Sequence, residues 1–424
     1  MKKTLSQLQR NAWSWIPSLY FAEGLPYVVV MTVSVIMYKR LDISNTDIAL
    51  YTSWLYLPWV IKPFWSPFVD MVKSKRWWIV SMQLLIGAGF GGIGLLLPLP
   101  LFFQSTLCVF WLMAFSSATH DIAADGFYML ALDEKKQSFF VGIRSTFYRF
   151  STLAGQGLLI VLAGILEKKL GNIALAWSIV FYILAAFFLC MCAYHHFALP
   201  YPLSDTKRSI AWKDVLKRFL ETFSSFFKKK HIGWALAFMM LYRLGEALLV
   251  KMASPFLLDE RSLGGLGLST EDVGYVYGTV GVIALTLGGI LGGIVVSKGG
   301  LSKWLWPMAL SITLPNIVYV FLSHSMPLHI WPIYTCVAIE QFGYGFGFTA
   351  YMLYMMRISE GAEQTAHYAL CTGFMALGMM LPGMIAGWLQ ESVGYPRFFE
   401  IVMVLSLPIL CIIPIIKKQL NKQE

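Results

Sequence analysis

The segment FSSATHDIAADGFYMLAL (Phe115–Leu132) places two carboxylates inside a run of mostly apolar residues. Asp121 and Asp125 are four residues apart, so on a helix they share one face, one turn apart. An unpaired charge at the centre of a lipid-exposed helix costs roughly 3 kcal/mol. The segment therefore predicts a helix that crosses a membrane and turns its acidic face toward a polar cavity instead of lipid.

The composition of the whole chain agrees with a membrane protein. Of the 424 residues, 57% are hydrophobic or aromatic and 13% are charged, whereas soluble domains carry about 25% charged residues. The formal charge of +10 comes from basic residues in the loops between apolar runs. We therefore expect a lipid bilayer and no nucleic acid as the partner. The six cysteines lie in apolar stretches without metal-ligand spacing, so we expect no disulfide, metal or cofactor.

Runs of about 20 apolar residues, the length that crosses a bilayer, recur along the chain. We predict an all-α integral membrane protein with twelve transmembrane helices at 13–38, 47–69, 77–98, 101–132, 139–166, 172–197, 232–258, 271–297, 304–324, 329–356, 364–389 and 394–416. With the N-terminus inside, the inner segments carry 22 Lys and Arg residues and the outer loops carry 6. Because positive charge marks the cytoplasmic side, both termini are predicted to be cytoplasmic.

The long polar segment 198–231 divides six predicted spans from six. We expect an N-terminal six-helix half at 1–197, a basic cytoplasmic linker at 198–231 and a C-terminal six-helix half at 232–424. Part of the linker is basic and amphipathic, which is typical of a helix on the inner membrane surface. A solvated linker explains the same residues nearly as well.

The loops after spans 2 and 8 resemble each other and a known pattern. SPFVDMVKSKR (Ser66–Arg76) and GGIVVSKGGLSK (Gly292–Lys303) occupy equivalent places in the two halves. The second fits the major facilitator loop pattern G-x-x-x-D-R-x-G-R-R with Gly293 and Lys298 in place, and the first keeps Asp70 and Arg76. Repeated halves with this loop predict the major facilitator fold and a transport site near the membrane midplane.

The charges within the spans must be paired or must line water. Nine of them left unpaired would cost on the order of 25 kcal/mol, more than the roughly 5–15 kcal/mol of stability that a folded protein has. Arg149 on span 5 is favoured as the cation that compensates the paired aspartates. Buried ion pairs that only lock helices together remain the alternative for any single member. These residues are Glu23, Lys62, Asp121, Asp125, Arg149, Arg243, Glu246, Lys251 and Glu340.

Several motifs from about Phe21 to Gly394 resemble the AmpG-type muropeptide permeases, a branch of the major facilitator superfamily related to acetyl-coenzyme A transporters. They are FAEGLP (21–26), KPFWSPFVD (62–70), SSATHDIAADGF (116–127), FYRF (147–150), LYRLGEAL (241–248) and EQFGYGFGFTAY (340–351). The chain departs from that family's pattern at Glu23, where a small residue is common, at Leu130, where an acidic residue is frequent, and at Arg243, where Lys is common.

The resemblance implies proton-coupled import of GlcNAc-1,6-anhydro-MurNAc, with or without peptide, across the bacterial inner membrane for cell-wall recycling. On this basis we expect a monomer that takes a small-molecule substrate and protons. The expected proton-coupling residues are Asp121, Asp125, Glu23 and Glu340. The expected substrate-binding residues are Arg149, Lys62, Arg243, Glu246, Lys251, Trp54 and Tyr20. The expected conformational loop residues are Asp70, Arg76, Gly293 and Lys298.

Other functions remain open at this stage but are less well supported. Another anionic cargo, such as an acyl-CoA-like compound, a siderophore or a peptide, is the main alternative, because Glu23 changes the expected cavity. A membrane acyltransferase would need a His–Asp relay, but adjacent residues such as His120 and Asp121 point about 100° apart on a helix. We therefore expect no enzyme. The short tails also disfavour a sensor with an output domain.

Overall fold

The structure is a computed structural model that describes residues 11–202, 205, 212–361 and 363–421. Throughout these residues the regular structure is helical, and they contain no β-strand. The predicted all-α fold class is confirmed. The part of the linker at 203–204 and 206–211 lies outside the described residues.

The helices of the first half of the chain begin with α1, and short π-helical segments interrupt two of them. They are α1 (Ile16–Val28), a π-helical segment (Val29–Val33), α2 (Ser34–Arg40), α3 (Asn45–Trp54), α4 (Leu57–Val72), α5 (Lys75–Leu96), α6 (Phe102–Ala131), α7 (Glu134–Leu153), a second π-helical segment (Ala154–Leu159), α8 (Ile160–Leu170) and α9 (Ile173–Ala198).

The linker contributes one helix, and the remaining helices follow it. They are α10 (Trp212–Phe227), α11 (Ile232–Leu241), α12 (Leu244–Leu258), α13 (Thr270–Val273), a π-helical segment (Gly274–Gly281), α14 (Val282–Gly299), α15 (Leu301–Thr313), α16 (Ile317–Ser325), α17 (Ile330–Ser359), α18 (Gln364–Val393), α19 (Tyr395–Leu405) and α20 (Pro408–Leu420).

Ten helical stretches among the described residues are long and apolar enough to cross a membrane. Two predicted spans are not among them. Span 2 is divided into α3 and α4 by the turn at Leu55–Tyr56, so neither piece is long enough alone. The helix α17, predicted as span 10, has 30 residues but carries Glu340 and Gln341 in its middle. The total of twelve spans therefore stays a prediction.

Side-chain caps explain where several helices begin. Ser44, Ser74, Asp133 and Asn172 each precede a helix and accept a hydrogen bond from a backbone N–H in its first turn. Such caps satisfy donors that have no partner within the helix. The bond from the Lys136 backbone N–H, at 2.8 Å, also lowers the pKa of Asp133 below its ordinary value.

Glycines allow α14 and α17 to lie in close contact. A Cβ on Gly288 would lie 2.2 Å from the Phe342 carbonyl oxygen, and one on Gly345 would lie 2.1 Å from the Leu285 carbonyl oxygen. Real Cβ atoms do not approach backbone this closely, so only glycine fits. Small residues at helix contacts are typical of membrane proteins, because association there depends on close packing.

The described chain forms two compact units whose boundaries differ from the predicted halves. One unit contains the chain up to Ser34 together with Ile61–Leu216. The other contains Val35–Val60 and the chain from Lys217 onward. The division thus cuts through spans 1 and 2, and their predicted outer parts pack with the second half of the sequence. The halves 1–197 and 232–424 remain a prediction from the repeat.

Candidate functional site

A cluster of charged side chains lies inside the first unit, where α1, α4, α6 and α7 contribute to it. The Lys62 ammonium is bonded to a carboxylate oxygen of Asp121. The Arg144 guanidinium donates to Oδ1 of Asp125 at 2.9 Å. These four side chains retain between 22% and 40% of their exposure, so the cluster is partly accessible. The two acidic residues of the opening segment are therefore paired with two different cations.

Two tyrosines hold the Asp125–Arg144 pair in place. The Tyr20 hydroxyl donates to Oδ1 of Asp125 at 3.2 Å and lies 2.9 Å from Nη1 of Arg144. The guanidinium also lies over the Tyr20 ring at 4.9 Å and the Tyr128 ring at 5.1 Å. Cation–π contacts of this kind favour a cation at a fixed position. Tyr20, predicted to bind substrate, is here a partner of the ion pair.

The cation beside the paired aspartates is Arg144, whereas the sequence favours Arg149. Positions 144 and 149 differ by five residues, which turns their side chains about 140° apart on a helix. Arg149 has an exposed side chain and makes no ion pair with the residues that the structure describes. The sequence does not identify Arg144 and Tyr128 as site residues, because the neighbours of a basic side chain on a helix depend on how that helix packs against the others. The contact of α7 with α1 was the missing information.

Glu23 is the third carboxylate of the first cluster. It lies on α1, is only 7% exposed, and its Oε2 atom has no hydrogen-bond partner among the described residues. Its carboxylate is an electrostatic neighbour of the Asp121 and Asp125 carboxylates. The cluster thus contains three carboxylates and two cations, one negative charge in excess.

A buried hydrogen-bond network supports the helix that carries Asp121. The Gln83 amide lies 3.0 Å from Nε2 of His120 and 2.9 Å from Nδ1 of His195, whose Nε2 atom lies 2.9 Å from the Ser18 hydroxyl. Both histidines and Gln83 are at most 1% exposed. The network connects α1, α5, α6 and α9. His120 is therefore held in the core through Nε2, whereas its Nδ1 atom has no hydrogen-bond partner among the described residues.

A second polar cluster lies inside the other unit, where predicted span 7 is interrupted. The helix α11 ends at Leu241 and α12 begins at Leu244, with Arg243 between them as the N-cap residue. Its guanidinium donates to the Tyr344 hydroxyl at 2.6 Å and lies over the Tyr344 and Phe348 rings. Among the described residues it forms no ion pair. Interrupted membrane helices are typical of transporter binding sites.

Two buried carboxylates accompany Arg243. Glu246 is 4% exposed and its Oε2 atom has no hydrogen-bond partner in the described chain. Glu340 is 2% exposed and accepts from Nε2 of Gln341 at 2.9 Å. The two carboxylates are electrostatic neighbours. Gln341 also donates to the Tyr277 hydroxyl, so it connects α17 with the π-helical segment after α13.

Lys251 is the second buried cation of this polar cluster. Its ammonium donates to the Thr52 hydroxyl at 2.9 Å and lies 5.3 Å from the centre of the Tyr56 ring. The residue is 1% exposed and, within the described ranges, has no carboxylate partner. Trp54, at the end of α3, is 38% exposed. Of the residues predicted to bind substrate, Glu246 and Lys251 thus lie on α12, and Arg243 is the N-cap residue that precedes this helix.

The predicted loop motif is ordered by the linker in the first unit. The Asp205 carboxylate accepts hydrogen bonds from the backbone N–H groups of Lys75 and Arg76, at 2.6 and 3.0 Å. The Arg76 guanidinium stacks 3.9 Å from the Tyr201 ring centre. The side chain of Asp70 lies outside the described residues.

The two loop residues in the other unit are less constrained. Lys298 is exposed in the last turn of α14, and no heavy atom lies within 4 Å of a Cβ built on Gly293.

The sequence pattern of the family described as Major Facilitator Superfamily matches residues 18–364. The chain belongs to this superfamily. Together with the ten membrane-length helices, this membership identifies the protein as a multi-pass membrane transporter. The predicted family is therefore confirmed, and the two polar clusters are candidates for its transport site.

Relatives with AmpG and permease names confirm the resemblance derived from the motifs. A protein named putative transporter AmpG 4 from Rickettsia conorii is 26% identical over 422 residues, with 95% of this chain and 96% of that protein covered. A protein named anhydromuropeptide permease from Escherichia coli is 25% identical over 411 residues, with 95% of this chain and 79% of that protein covered.

Solved structures confirm the fold independently of the sequence motifs. The nucleoside transporter NupG superposes with a TM-score of 0.69 at 16% identity and covers 94% of this chain and 98% of its own. A D-xylose-proton symporter superposes with a TM-score of 0.69 at 12% identity and covers 94% of this chain and 96% of its own. At these identities the likeness concerns the fold alone.

Proposed function

We propose that this superfamily member imports GlcNAc-1,6-anhydro-MurNAc, with or without a stem peptide, for cell-wall recycling. Import is coupled to protons and proceeds by alternating access across the bacterial inner membrane, with both termini in the cytoplasm. The support for the cargo is the likeness to proteins named AmpG and anhydromuropeptide permease over 95% of the chain.

The excess carboxylate of the first cluster is the observation that carries proton coupling. Glu23, Asp121 and Asp125 face two cations, Lys62 and Arg144. Burial of an uncompensated charge is costly, so the cluster is most stable when it holds one proton. A proton bound from outside and released inside would change the net charge of the cluster by one. That change is the kind of switch on which a symporter depends.

The second cluster is suited to the anionic groups of the cargo. Arg243 and Lys251 are buried cations whose hydrogen-bond partners are hydroxyl groups, not carboxylates. A buried cation is stabilised by an anion, and the substrate's lactyl and peptide carboxylates would supply one. Glu246 lies in the first turn of α12, three residues after the N-cap Arg243, where it would orient the guanidinium or accept from a sugar hydroxyl. Tyr56 and Trp54 would provide apolar faces for the sugar rings.

The remaining predicted residues take their roles within this scheme. Glu340 is assigned to coupling in the second cluster because it is buried next to Glu246. Arg149 is assigned to substrate binding because its guanidinium is exposed and makes no ion pair among the described residues.

Another anionic cargo is the second candidate, and Glu23 is the feature that favours it. AmpG-type permeases commonly have a small residue at this position, so the carboxylate narrows the site and adds a charge. An acyl-CoA-like compound, a siderophore or a peptide would then compete with the muropeptide as the natural cargo.

The decisive experiment measures uptake of radiolabelled GlcNAc-1,6-anhydro-MurNAc into proteoliposomes with and without an inward proton gradient. The proposal expects accumulation above the external concentration only when the gradient is present. Asp125→Asn should abolish accumulation because it removes one carboxylate of the first cluster. Asp133→Asn is the matched control, since Asp133 is an exposed carboxylate just beyond the same helix and Asn also caps helices well.

The outcomes separate cargo from coupling. Equal uptake with and without the gradient would reject proton coupling but keep the cargo. No uptake by correctly folded protein would reject the muropeptide and favour the second candidate. Accumulation by the Asp125→Asn variant at the rate of the unmodified protein would show that this carboxylate does not couple transport.

A further inference from the structure

The end of the linker helix α10 is fixed to the unit that contains the chain from Lys217 onward. Phe226 is fully buried, and its ring stacks on Phe374 of α18 with 6.3 Å between the ring centres. The Ser225 hydroxyl lies 2.9 Å from Nε2 of His367, which is also on α18. These contacts hold the last turn of α10 against the first part of α18, a predicted inner end.

A lysine just beyond α10 strengthens this attachment. The Lys229 ammonium donates to the backbone carbonyl oxygens of Ile358 and Glu360 at 2.7 and 2.8 Å. The helix α17 ends at Ser359, so these carbonyls belong to a helix C-terminus, where a cation is favourable. The linker from Ser225 to Lys229 is therefore a fixed part of the fold.

Two large apolar side chains of α10 are exposed in spite of this attachment. Leu220 is 56% exposed and Phe227 is 37% exposed. They are seven residues apart, so they lie within about 20° of each other around the helix. Trp234, in the first turn of the membrane-length helix that begins at Ile232, is also 44% exposed. Exposed apolar and aromatic side chains beside the start of a span are typical of a membrane interface.

Exposed cations accompany these apolar side chains. The Lys217 side chain is 76% exposed, and Lys228 and Lys230, which follow α10, are exposed as well. The Nζ atom of Lys217 lies 4.0 Å from Oε1 of Glu221, and an exposed pair of this kind is weak. Between positions 207 and 230 the sequence has eight Lys and Arg residues but only two acidic residues. The exposed part of the linker thus combines apolar side chains with an excess of positive charge.

An anionic membrane surface is the partner that matches both properties. The inner leaflet carries anionic phospholipids, and its negative surface potential attracts basic segments beside a membrane span. Amphipathic helices bind such a surface with their apolar side chains at the acyl boundary and their cations among the headgroups. Water would solvate the cations but not the apolar side chains. A protein partner would have to reach a surface that adjoins the start of a predicted span.

We propose that Lys217, Leu220, Phe227, Lys228 and Lys230 bind anionic phospholipids of the inner leaflet, and we call these five residues the linker anchor. The two apolar side chains enter the boundary between headgroups and acyl chains, and the three ammonium groups bind the phosphates. The anchor takes no part in holding cargo or protons, so it goes beyond the proposed function. Because the end of α10 is fixed to α17 and α18, the bound lipid also fixes their predicted inner ends to the membrane surface.

The test measures the membrane depth of a spin label at position 220. Leu220→Cys is introduced into the full chain with its six native cysteines replaced by Ser or Ala, labelled with an apolar nitroxide and reconstituted into liposomes of phosphatidylcholine with or without phosphatidylglycerol. Collisions of the label with oxygen, which concentrates in the bilayer, are compared with collisions with a water-soluble nickel chelate. The oxygen-to-nickel ratio should rise at least twofold when phosphatidylglycerol is present. High salt should reverse the rise, because it screens the charges.

Two matched pairs of substitutions test whether the anchor cations cause the rise. Lys228→Gln with Lys230→Gln should abolish it. Lys135→Gln with Lys136→Gln removes two exposed cations from another predicted inner loop and should leave it intact. A label at Leu287→Cys, a 55% exposed position within α14, should give a high ratio in both kinds of liposome and calibrates the scale.

A label at position 220 that stays equally accessible to the nickel chelate in both lipid mixtures would overturn the proposal, since the linker would then be solvated. A label that neither reagent reaches in either mixture would also overturn it, because a second copy or another protein would then cover this surface. A rise that persists in the Lys228→Gln, Lys230→Gln chain would reject the named cations.

The measurement uses neither cargo nor a proton gradient, so its outcome does not depend on the proposed function. A failure of muropeptide uptake combined with lipid-dependent depth at position 220 would reject only the proposed cargo. Uptake combined with unchanged depth would reject only the linker anchor.

Discussion

Replacing Glu23 with Gln should stabilise the protein while it removes proton coupling. The Oε2 atom of Glu23 has no hydrogen-bond partner among the described residues, although the side chain is only 7% exposed. The neighbouring Asp121 carboxylate is an acceptor. A Gln side chain keeps the shape of Glu and always carries N–H donors, which the Asp121 carboxylate accepts, whereas the ionised Glu23 carboxylate has no donor. The substitution also removes the excess negative charge of the first cluster.

The expected size of this effect follows from the missing bond. A buried polar atom without a partner costs roughly 1–3 kcal/mol, and a typical hydrogen bond contributes about 1 kcal/mol. We therefore expect the free energy of unfolding at neutral pH to rise by about 1–2 kcal/mol for Glu23→Gln. In a chain of this length this corresponds to an increase of about 1–2 °C in melting temperature.

The assay combines thermal unfolding in detergent with proteoliposome uptake. The Glu23→Gln variant should melt at a higher temperature, and its uptake of the labelled disaccharide should be the same with and without a proton gradient. Glu400→Gln, an exposed carboxylate at 52% exposure, is the control and should change the unfolding free energy by less than about 0.5 kcal/mol. A loss of stability in Glu23→Gln would refute the unpaired-acceptor argument, and retained gradient-driven accumulation would refute the role of Glu23 in coupling.

Two further predictions concern pairing and packing. Arg144→Met should lower the unfolding free energy by about 2 kcal/mol, less than the loss of a fully buried pair because both side chains are partly exposed; adding Asp125→Asn should restore most of it in a double-mutant cycle of thermal unfolding. Gly345→Ala should destabilise by about 1–3 kcal/mol because its Cβ would overlap a backbone carbonyl, whereas Gly142→Ala, with open space around it, should leave the melting temperature unchanged or higher.

Much of the architecture is predictable because the membrane imposes it on each segment separately. Apolar runs of about 20 residues must become helices in lipid, since every backbone polar group needs a partner within the segment. This rule places helices at nearly all predicted spans. It fails to predict the interruption at Leu55–Tyr56, because a turn in the middle of an apolar run depends on which residues surround it.

The sequence predicts which charged residues belong to the candidate site but not which of them form ion pairs with each other. A charged residue within an apolar run can be recognised from the sequence without knowledge of its neighbours in space. Asp121, Asp125 and Glu23 are therefore predictable as site residues. The partner of each charge depends on the rotation of the neighbouring helix. The sequence favours Arg149 beside the aspartates, whereas the packing of α7 on α1 places Arg144 there.

What the sequence by itself determined is the class of protein, the helical fold and the set of residues whose burial must be compensated, because hydrophobicity and charge act locally along the chain. Only the tertiary structure decided that Glu23 leaves the first cluster with one carboxylate in excess, and that Val35–Val60 packs with the second half of the chain. Both depend on contacts between residues far apart in sequence. No local sequence pattern specifies such contacts, since the polar groups on one helix face can form hydrogen bonds or ion pairs with several different neighbouring helices.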